Sequence, residues 1–300
     1  MVSSDRSSLA RTVLEGLSTG DAFGEISAYN SAKVRERVAL GMGSGPWWWT
    51  DDTAMALGIE ECLHRNGEID EDLLAGIFAR NFQREPERGY GKMAAHILHR
   101  ILSGENWQAA SSQAFGGGSM GNGAAMRMGP LSAWFADDLD RVVAEAEKSA
   151  RVTHWHQEGI AGAIAVGVAI ACARQSRNSP LPEARKFIAA EVLARTPAGD
   201  THEGLKVAMN LDLSTPTGAA GLKLGNGSLV TAPDTVPFVV WAALRALDDY
   251  QEAVVGAIEA DGDCDTNAAM VGSIVTARLG LGCIPPEWRD SREALPRMAD

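Results

Sequence analysis

Most of the chain carries apolar residues at the spacing of an α-helix. Residues three or four positions apart share one helical face, whereas a strand alternates apolar and polar residues. The helical spacing is clearest in four segments, at residues 55–63, 73–78, 94–101 and 271–279. No convincing series of alternating segments accompanies them, and runs of β-branched residues are short. The pattern predicts an all-α protein with many helices.

Residues 159–173, GIAGAIAVGVAIACA, are apolar on every side of a helical projection and rich in small side chains. A helix of this composition is expected at the centre of a bundle, enclosed by other helices. The run is the longest apolar one, and it is shorter than the roughly 20 residues that span a bilayer. We therefore predict a central core helix, and no membrane is expected as a partner.

We expect a compact single-domain multi-helix bundle over residues 1–300, with its core from about residue 10 to residue 281. Low-complexity linkers and internal repeats are absent. Four stretches are predicted to be loops: residues 19–50, 111–123, 196–235 and 282–300. The first three are rich in Gly, Ser, Thr or Pro, and long loops in a compact domain often carry function. We expect these three to meet at one end of the bundle, and the residues after Pro285 to be a loose terminus.

The protein is acidic, with 39 Asp and Glu against 27 Lys and Arg and a formal net charge of −12. Such a surface repels nucleic-acid backbones, so no polymeric nucleic acid is expected as a partner. A small nucleotide remains compatible, because backbone N–H groups and a metal ion can hold its phosphates. The four cysteines form no CxxC pair, and the first residues lack the pattern of a secretory signal. These features predict a cytoplasmic protein with reduced thiols.

Two short stretches combine aspartate and threonine at the predicted start of a helix: TDDT at 50–53 and DCDT at 263–266. The helix dipole favours one negative charge there by roughly 0.3–1 kcal/mol, and an N-cap contributes about 1 kcal/mol. A second aspartate has no such explanation, because like charges about 4 Å apart repel by roughly 4 kcal/mol at an effective dielectric constant of 20. If the stretches converge, two divalent cations would balance the charge of four carboxylates.

Oxygen ligands from Asp and Thr suit hard cations, so we expect Mg²⁺ first and Mn²⁺ or Ca²⁺ next. The alternative is a pair of independently capped helices exposed to solvent, and either stretch alone favours that interpretation. Together with the glycine-rich segments described next, the two stretches favour a metal centre.

Two glycine-rich segments, at residues 16–25 and 115–131, are candidates for phosphate binding. The second places five glycines before a helical segment predicted to start near Ala124, where N–H groups can point at a phosphate. Neither contains the P-loop pattern GxxxxGK[ST], and each alone is also compatible with a plain turn. His154 and His156 lack the i, i+4 spacing of a helical zinc site, and a helix cap and a substrate contact both remain open for them.

The order of these motifs resembles the ADP-ribosylglycohydrolase family, which includes the dinitrogenase-reductase-activating glycohydrolases. The resemblance extends from about residue 10 to residue 281. Its motifs are GDAFG (20–24), WTDDTAMAL (49–57), GNGAAMRMGPL (121–131), TH (153–154), GNGSLVTAPDTVPF (225–238) and DGDCDTNAAMVGSI (261–274). The resemblance implies a compact all-α domain with a binuclear Mg²⁺ centre. It also implies hydrolysis of the glycosidic bond between ADP-ribose and a protein side chain, often arginine.

The resemblance further implies roles for individual residues. The metal ligands would be Thr50, Asp51, Asp52, Asp263, Asp265 and Thr266. The substrate contacts would be Gly20, Asp21, Ser119, Met120, Gly121, Asn122 and His154, of which the last five would face the diphosphate of ADP-ribose. Asp261 and Cys264 stand where the family usually has Gly and Thr, and neither replacement removes a ligand. Ala28 stands where some members carry a Glu that acts at the metals or as a base, and Glu25 follows GDAFG directly.

We therefore expect a Mg²⁺-dependent hydrolase whose substrate is an ADP-ribosylated protein or a small-molecule conjugate of ADP-ribose. A carboxylate, Asp51 or Asp52 or else Glu25, would accept the proton of the attacking water. Loops 25–48 and 85–92 are expected to form the rim that selects the acceptor. Two alternatives remain: another metal-dependent hydrolase of nucleotides or ADP-ribose, and a non-catalytic protein that binds ADP-ribose.

Overall fold

The computed structural model describes residues 4–41 and 45–296. This part of the chain contains sixteen α-helices and four short 3-10 helices. The first eight α-helices are α1 (Ser4–Ser27), α2 (Val34–Ala39), α3 (Asp51–Asn66), α4 (Glu71–Arg84), α5 (Lys92–Leu102), α6 (Trp107–Ser112), α7 (Gly129–Trp134) and α8 (Leu139–Arg151). The second eight are α9 (Gln157–Gln175), α10 (Leu181–Arg195), α11 (Asp200–Asn210), α12 (Thr217–Leu224), α13 (Ala232–Arg245), α14 (Tyr250–Glu259), α15 (Cys264–Leu279) and α16 (Pro286–Ser291). The four segments with helical spacing lie in α3, α4, α5 and α15.

Extended backbone pairs only at two isolated bridges within the described residues, Trp47 with Arg292 and Gly121 with Thr231. The predicted all-α fold class is therefore confirmed. One main cluster of buried apolar side chains runs from Ala10 to Leu295. It extends beyond residue 281, because the last helix of the chain packs into it.

The small-residue helix α9 lies at the centre of the bundle, against α7, α8, α10, α13 and α15. Every residue from Gly159 to Ala173 is buried. By length and composition alone this helix could cross a membrane, but 89% of its most apolar window is buried inside the protein. The prediction of an enclosed core helix is confirmed.

Helix α1, near the start of the chain, packs along α15, which lies more than 200 residues later. Gly16, Gly20 and Gly24 follow one another at intervals of four residues and share one face of α1. At Gly20, a Cβ atom would lie 2.3 Å from the carbonyl oxygen of Ala268. At Gly24, it would lie 2.5 Å from the carbonyl oxygen of Cys264. Only glycine fits there, so α1 lies directly against the backbone of α15.

This contact overturns the prediction of a phosphate-binding loop at residues 16–25. The segment is the second half of α1, and its glycines serve helix packing. Helices with ordinary side chains keep their axes about 8–10 Å apart, and removing the side chains lets the backbones approach closely. Glycines at four-residue intervals in a sequence are therefore as compatible with close helix packing as with a flexible turn.

Other loop predictions are wrong in part. Residues 196–235 contain α11 and α12, and residues 19–50 contain the end of α1 and all of α2, with 42–44 outside the described residues. The segment after Pro285 is anchored as far as it is described, which contradicts the predicted loose terminus; residues 297–300 lie outside the described part. Its Trp288 ring stacks on Phe23 of α1 with centroids 3.9 Å apart.

Candidate active site

A pocket of about 910 Å³ lies where α3, α5 and α15 begin. Small-molecule sites in proteins measure about 300–1,000 Å³, so a nucleotide-sized ligand fits. One wall is the glycine-rich segment 116–123, and another is the turn 229–231 between α12 and α13. Residues 89 and 91–94, from the loop before α5 and its first turn, form a third wall. Two of the predicted loop regions, 111–123 and 196–235, therefore meet at one pocket.

The glycine-rich wall exposes backbone at Gly116 and Gly118, where a side chain would be strained or would collide. Gly116 and Gly118 have φ angles of +79° and +95°. A Cβ at Gly118 would lie 2.5 Å from the backbone nitrogen of His156. The helix predicted to start near Ala124 is wrong, because a single 3-10 turn follows this wall and α7 starts only at Gly129. Any anion bound here would meet a loop and not an α-helix N-terminus.

The two aspartate stretches converge at the edge of this pocket. Carboxylate oxygens of Asp21, Asp52 and Asp265 all lie within 4.8 Å of one another. Asp52 and Asp265 come from the first turns of α3 and α15, as the sequence predicted. Asp21 comes from α1, which the glycine contact holds against α15. The alternative of two separate, solvent-exposed helix caps is excluded.

Asp21 was predicted to contact substrate, but neither it nor Gly20 lines the pocket. Its buried carboxylate accepts hydrogen bonds from the hydroxyl groups of Thr50 and Thr53, at 2.9 and 2.5 Å. The backbone N–H groups of the same two threonines also donate to it. Asp21 thus orients the start of α3 and belongs to the carboxylate cluster, a role that the sequence analysis missed.

The two carboxylate oxygens of Asp52 differ in their hydrogen bonds. Its Oδ2 accepts from the hydroxyl groups of Thr50 and Thr266, each at 3.2 Å. Its Oδ1 is buried and has no hydrogen-bond partner among the described residues. A buried carboxylate oxygen without a partner is costly unless a cation compensates it. The free oxygen and the surrounding carboxylates fit a hard divalent cation.

The raised pKa values of the carboxylates in and beside the cluster also indicate that positive charge would stabilise it. Burial, followed by the charge of Asp265, raises the pKa of Asp21 to about 7 and that of Asp263 to about 8. Burial and the neighbouring carboxylates hold the pKa values of Asp51 and Asp52 well above their usual range. Without a cation, several of these groups would keep protons near neutral pH. A divalent ion can replace those protons.

The remaining predicted residues lie close to the cluster or on the pocket wall. The pocket wall includes Asp51, Ser119, Met120, Gly121, Asn122, His154, Asp263, Asp265 and Thr266. Asn122 links the glycine-rich wall to the cluster, because its Nδ2 donates to Asp263 at 2.6 Å. Glu25 lies one turn after Asp21, exposed and outside the pocket lining. Partial burial and the charge of Asp265 raise its pKa.

The sequence model of the ADP-ribosylglycohydrolase family matches residues 3–300. The chain belongs to the ADP-ribosylglycohydrolase family. Among its relatives, the ADP-ribosylhydrolase ARH3 of Gallus gallus is 30% identical over 82% of this chain and 74% of the relative. The ADP-ribosylarginine hydrolase Tri1 of Serratia proteamaculans is 25% identical over 94% of this chain and 74% of the relative.

A solved structure described as an ADP-ribosylglycohydrolase-related protein complex has the same fold, with a TM-score of 0.67 and 22% identity. The match covers 96% of this chain and 93% of that chain. The predicted family is confirmed, and the ADP-ribosylglycohydrolase is an enzyme that hydrolyses glycosidic bonds to ADP-ribose. The family is metal-dependent, and among the described residues of this chain the cluster of Asp21, Asp52 and Asp265 could hold a metal ion.

Proposed function

We propose that this ADP-ribosylglycohydrolase requires Mg²⁺ and releases ADP-ribose from a modified side chain, with arginine as the first candidate acceptor. The observation that carries the proposal is the carboxylate cluster, whose member Asp265 also lines the pocket. A binding pocket with a backbone-rich wall and an acidic edge suits a substrate with a diphosphate and a ribose.

Charge balance supports two ions. Five carboxylates surround this point: Asp21, Asp51, Asp52, Asp263 and Asp265. One divalent ion would leave three negative charges and two would leave one, whereas three would make the site positive. The hydroxyl groups of Thr50 and Thr266, which contact Asp52, complete an all-oxygen donor set for Mg²⁺, with Mn²⁺ as a substitute. When bound, the ions supply Lewis acidity that polarises substrate oxygens and lowers the pKa of water.

Different parts of the pocket would bind the diphosphate and stabilise the transition state. In segment 116–123, the N–H groups of residues 116–118, 121 and 122 donate within the protein. The N–H groups of Ser119 and Met120 and the ring of His154 are left for the diphosphate, which the acidic edge would repel. The carboxylates of Asp263 and Asp265 form the acidic edge of the pocket, where Asp263 accepts a hydrogen bond from Asn122. Negative charge there favours the positive charge that develops on the ribose in an oxocarbenium-like transition state.

Asp51 is our candidate for the general base. It lines the pocket, whereas Asp52 is 1% exposed and faces the cluster. Burial, with the charges of Asp265 and its neighbours, raises the pKa of Asp51, and a carboxylate of higher pKa accepts a proton more readily. Glu25 lies outside the pocket lining, so it is the weaker candidate for taking the proton of the attacking water.

A cationic acceptor suits the charge of this pocket. Among the described residues that line it, Lys92 is the only lysine or arginine. Glu25 carries a further carboxylate beside Asp265, outside the tight cluster, where it can attract a guanidinium group. The name of the Serratia relative, an ADP-ribosylarginine hydrolase, supports the same acceptor.

The test is a panel of ADP-ribosylated arginine, ADP-ribosylated serine and free ADP-ribose, each with Mg²⁺ and with EDTA. We expect ADP-ribose to be released from arginine, and EDTA to stop the reaction until Mg²⁺ is restored. Asp51→Asn should lower kcat by about 100-fold or more, and Glu183→Gln, an exposed acid on α10, should leave it unchanged.

Two results would contradict the proposal. Phosphate release from ADP-ribose without cleavage of any ADP-ribosyl linkage would indicate a different metal-dependent hydrolase. Full turnover of ADP-ribosylarginine in EDTA by the metal-free protein would exclude the metal centre as a participant.

A further inference from the structure

A line of hydrogen bonds runs from the protein core to the pocket through Arg127, Thr153 and His154. Arg127 is fully buried, and its guanidinium group contacts no carboxylate within hydrogen-bond distance in the described part of the chain. Its Nη2 donates to the carbonyl oxygen of Ser149 at 2.6 Å, and it lies over the ring of Phe78 at 4.6 Å. A buried arginine that lacks an acidic partner is unusual, and it calls for a role.

The hydroxyl group of Thr153 is the next member of the line. Arg127 Nη1 donates to Thr153 Oγ1 at 2.9 Å, because a guanidinium group has no acceptor. The same oxygen lies 2.8 Å from Nδ1 of His154. Thr153 is fully buried, and these two bonds are those its hydroxyl makes among the described residues.

Counting protons decides the direction of the second bond. If Nδ1 of His154 carried a proton, two donors would point at the oxygen of Thr153, and the hydroxyl proton would be buried without an acceptor. Buried donors without partners are rare in folded proteins. The hydroxyl proton of Thr153 therefore points at Nδ1, and a neutral imidazole with a bare Nδ1 carries its proton on Nε2.

We infer that Arg127 and Thr153 are positioning residues that fix His154 in the Nε2–H tautomer and so supply a neutral hydrogen-bond donor to the pocket. Nε2 lies at the glycine-rich wall, where a Cβ at Gly121 or Gly123 would come within 3.1 or 3.0 Å of it. The ligand would be an anionic group held by that wall. Its identification as the diphosphate of ADP-ribose rests on the proposed function.

The electrostatic setting agrees with a neutral ring. Burial, and secondarily the charge of Arg127, lower the pKa of His154 to about 3. The ring therefore does not become cationic near neutral pH, and the positive charge stays on the guanidinium group behind it. Donors aligned in one direction, from Arg127 through Thr153 to His154, polarise one another and strengthen the last bond.

The first test measures the ring nitrogens of His154 by ¹⁵N NMR in the 300-residue, Mg²⁺-loaded protein without substrate at neutral pH. His154→Gln identifies the signals, and the exposed ring of His96 provides a reference. We expect Nε2 to show the shift of a protonated nitrogen and Nδ1 that of a bare one. A proton on Nδ1, or a doubly protonated ring, would overturn the inference.

The second test compares Thr153→Val with Thr153→Ser. Thr153→Ser keeps the hydroxyl and should keep both the nitrogen shifts and the affinity for ADP-ribose. Thr153→Val should lose the single-tautomer pattern and weaken ADP-ribose binding by about tenfold or more. The effect should fall on KM more than on kcat. Equal spectra and affinities for the two variants would contradict the positioning role.

These measurements separate the inference from the proposed function. The tautomer is observed in the resting protein and does not depend on turnover. If the Nε2–H pattern is present but no ADP-ribosyl linkage is cleaved, the proposed function fails and the positioning role stands. If cleavage occurs and Nδ1 carries the proton, the positioning role fails alone.

Discussion

One methyl group added at Gly20 tests whether the close contact between α1 and α15 builds the metal centre. In Gly20→Ala, the new Cβ would lie 2.3 Å from the carbonyl oxygen of Ala268, which is 0.7 Å inside the 3.0 Å limit for such contacts. The neighbour is backbone and cannot rotate away, so the two helices must separate. Because Asp21 is the next residue, its carboxylate should move away from Asp265.

The magnitude follows from two opposing terms. Overpacking a tight contact costs about 1–3 kcal/mol, and a backbone neighbour places this case at the upper end. Alanine returns about 1 kcal/mol through its helix propensity. The net loss of about 2 kcal/mol should lower the melting temperature by roughly 4 °C. The Mg²⁺ concentration for half-maximal activity should rise at the same time, because the carboxylates no longer converge.

Gly76→Ala is the matched control, since Gly76 lies within a helix, α4, with no atom within 4 Å of the added Cβ. It should gain about 1 kcal/mol of stability and keep its Mg²⁺ requirement. Thermal unfolding and Mg²⁺ titration of activity measure both effects. If Gly20→Ala melts as high as the control and needs no more Mg²⁺, the packing explanation of the glycines is wrong.

Three further predictions concern the carboxylates and the C-terminal segment. Asp52→Asn should abolish Mg²⁺-dependent turnover. In EDTA at alkaline pH, where the carboxylates of the metal-free cluster ionise, it should raise the melting temperature because it removes one of several buried like charges; a lower melting temperature under those conditions would count against the cluster. Burial raises the pKa of Asp21 to about 7, so the folded metal-free protein binds this proton more tightly than the unfolded chain. The stabilising contribution of this proton should be complete below about pH 4 and be lost as the pH rises through about 7. Melting curves in EDTA should show this fall between about pH 4 and about pH 7, Mg²⁺ should flatten it, and a flat curve in EDTA would refute it. Glu293→Ala should lower the free energy of unfolding by up to about 1 kcal/mol, because Glu293 contacts the guanidinium group of Arg88 at 2.6 and 2.9 Å. It should also speed amide exchange in loop 85–91, which contains Arg88. If Glu287→Ala, which changes an exposed acid, shows the same exchange, the contact is unimportant.

The helices were predictable where their apolar spacing is a local property of the sequence. Helices α3, α4, α5 and α15 follow this rule, and α9 was predicted from its small apolar residues. The glycines at 16–25 were misinterpreted because a glycine in a sequence can indicate a close contact but does not identify the neighbouring atoms. In this protein the neighbour is the backbone of α15, which only the folded structure identifies.

The convergence of the two aspartate stretches was indicated by their excess charge taken together with the glycine-rich segments, but the third carboxylate was not predictable. A pair of adjacent aspartates has no explanation as a helix cap, and this excess indicated a cation. Asp21 carries no such local signal, because it is one acidic residue within a helical segment. Its part depends on the angle and distance at which α1 crosses α15. The roles of Arg127 and Thr153 are hidden for the same reason, since they depend on hydrogen bonds across the core.

The cluster also links metal binding to folding. Three helices that are far apart in sequence bring their carboxylates within 4.8 Å of one another, and burial makes the repulsion stronger than in water. The packing of α1 on α15 at the glycines must therefore outweigh the repulsion between the carboxylates. A bound divalent ion removes most of that repulsion. An ion that binds the folded chain in preference to the unfolded one stabilises it by mass action. We therefore expect the packing of α1 on α15 and the affinity for Mg²⁺ to change together in any variant that disturbs either one.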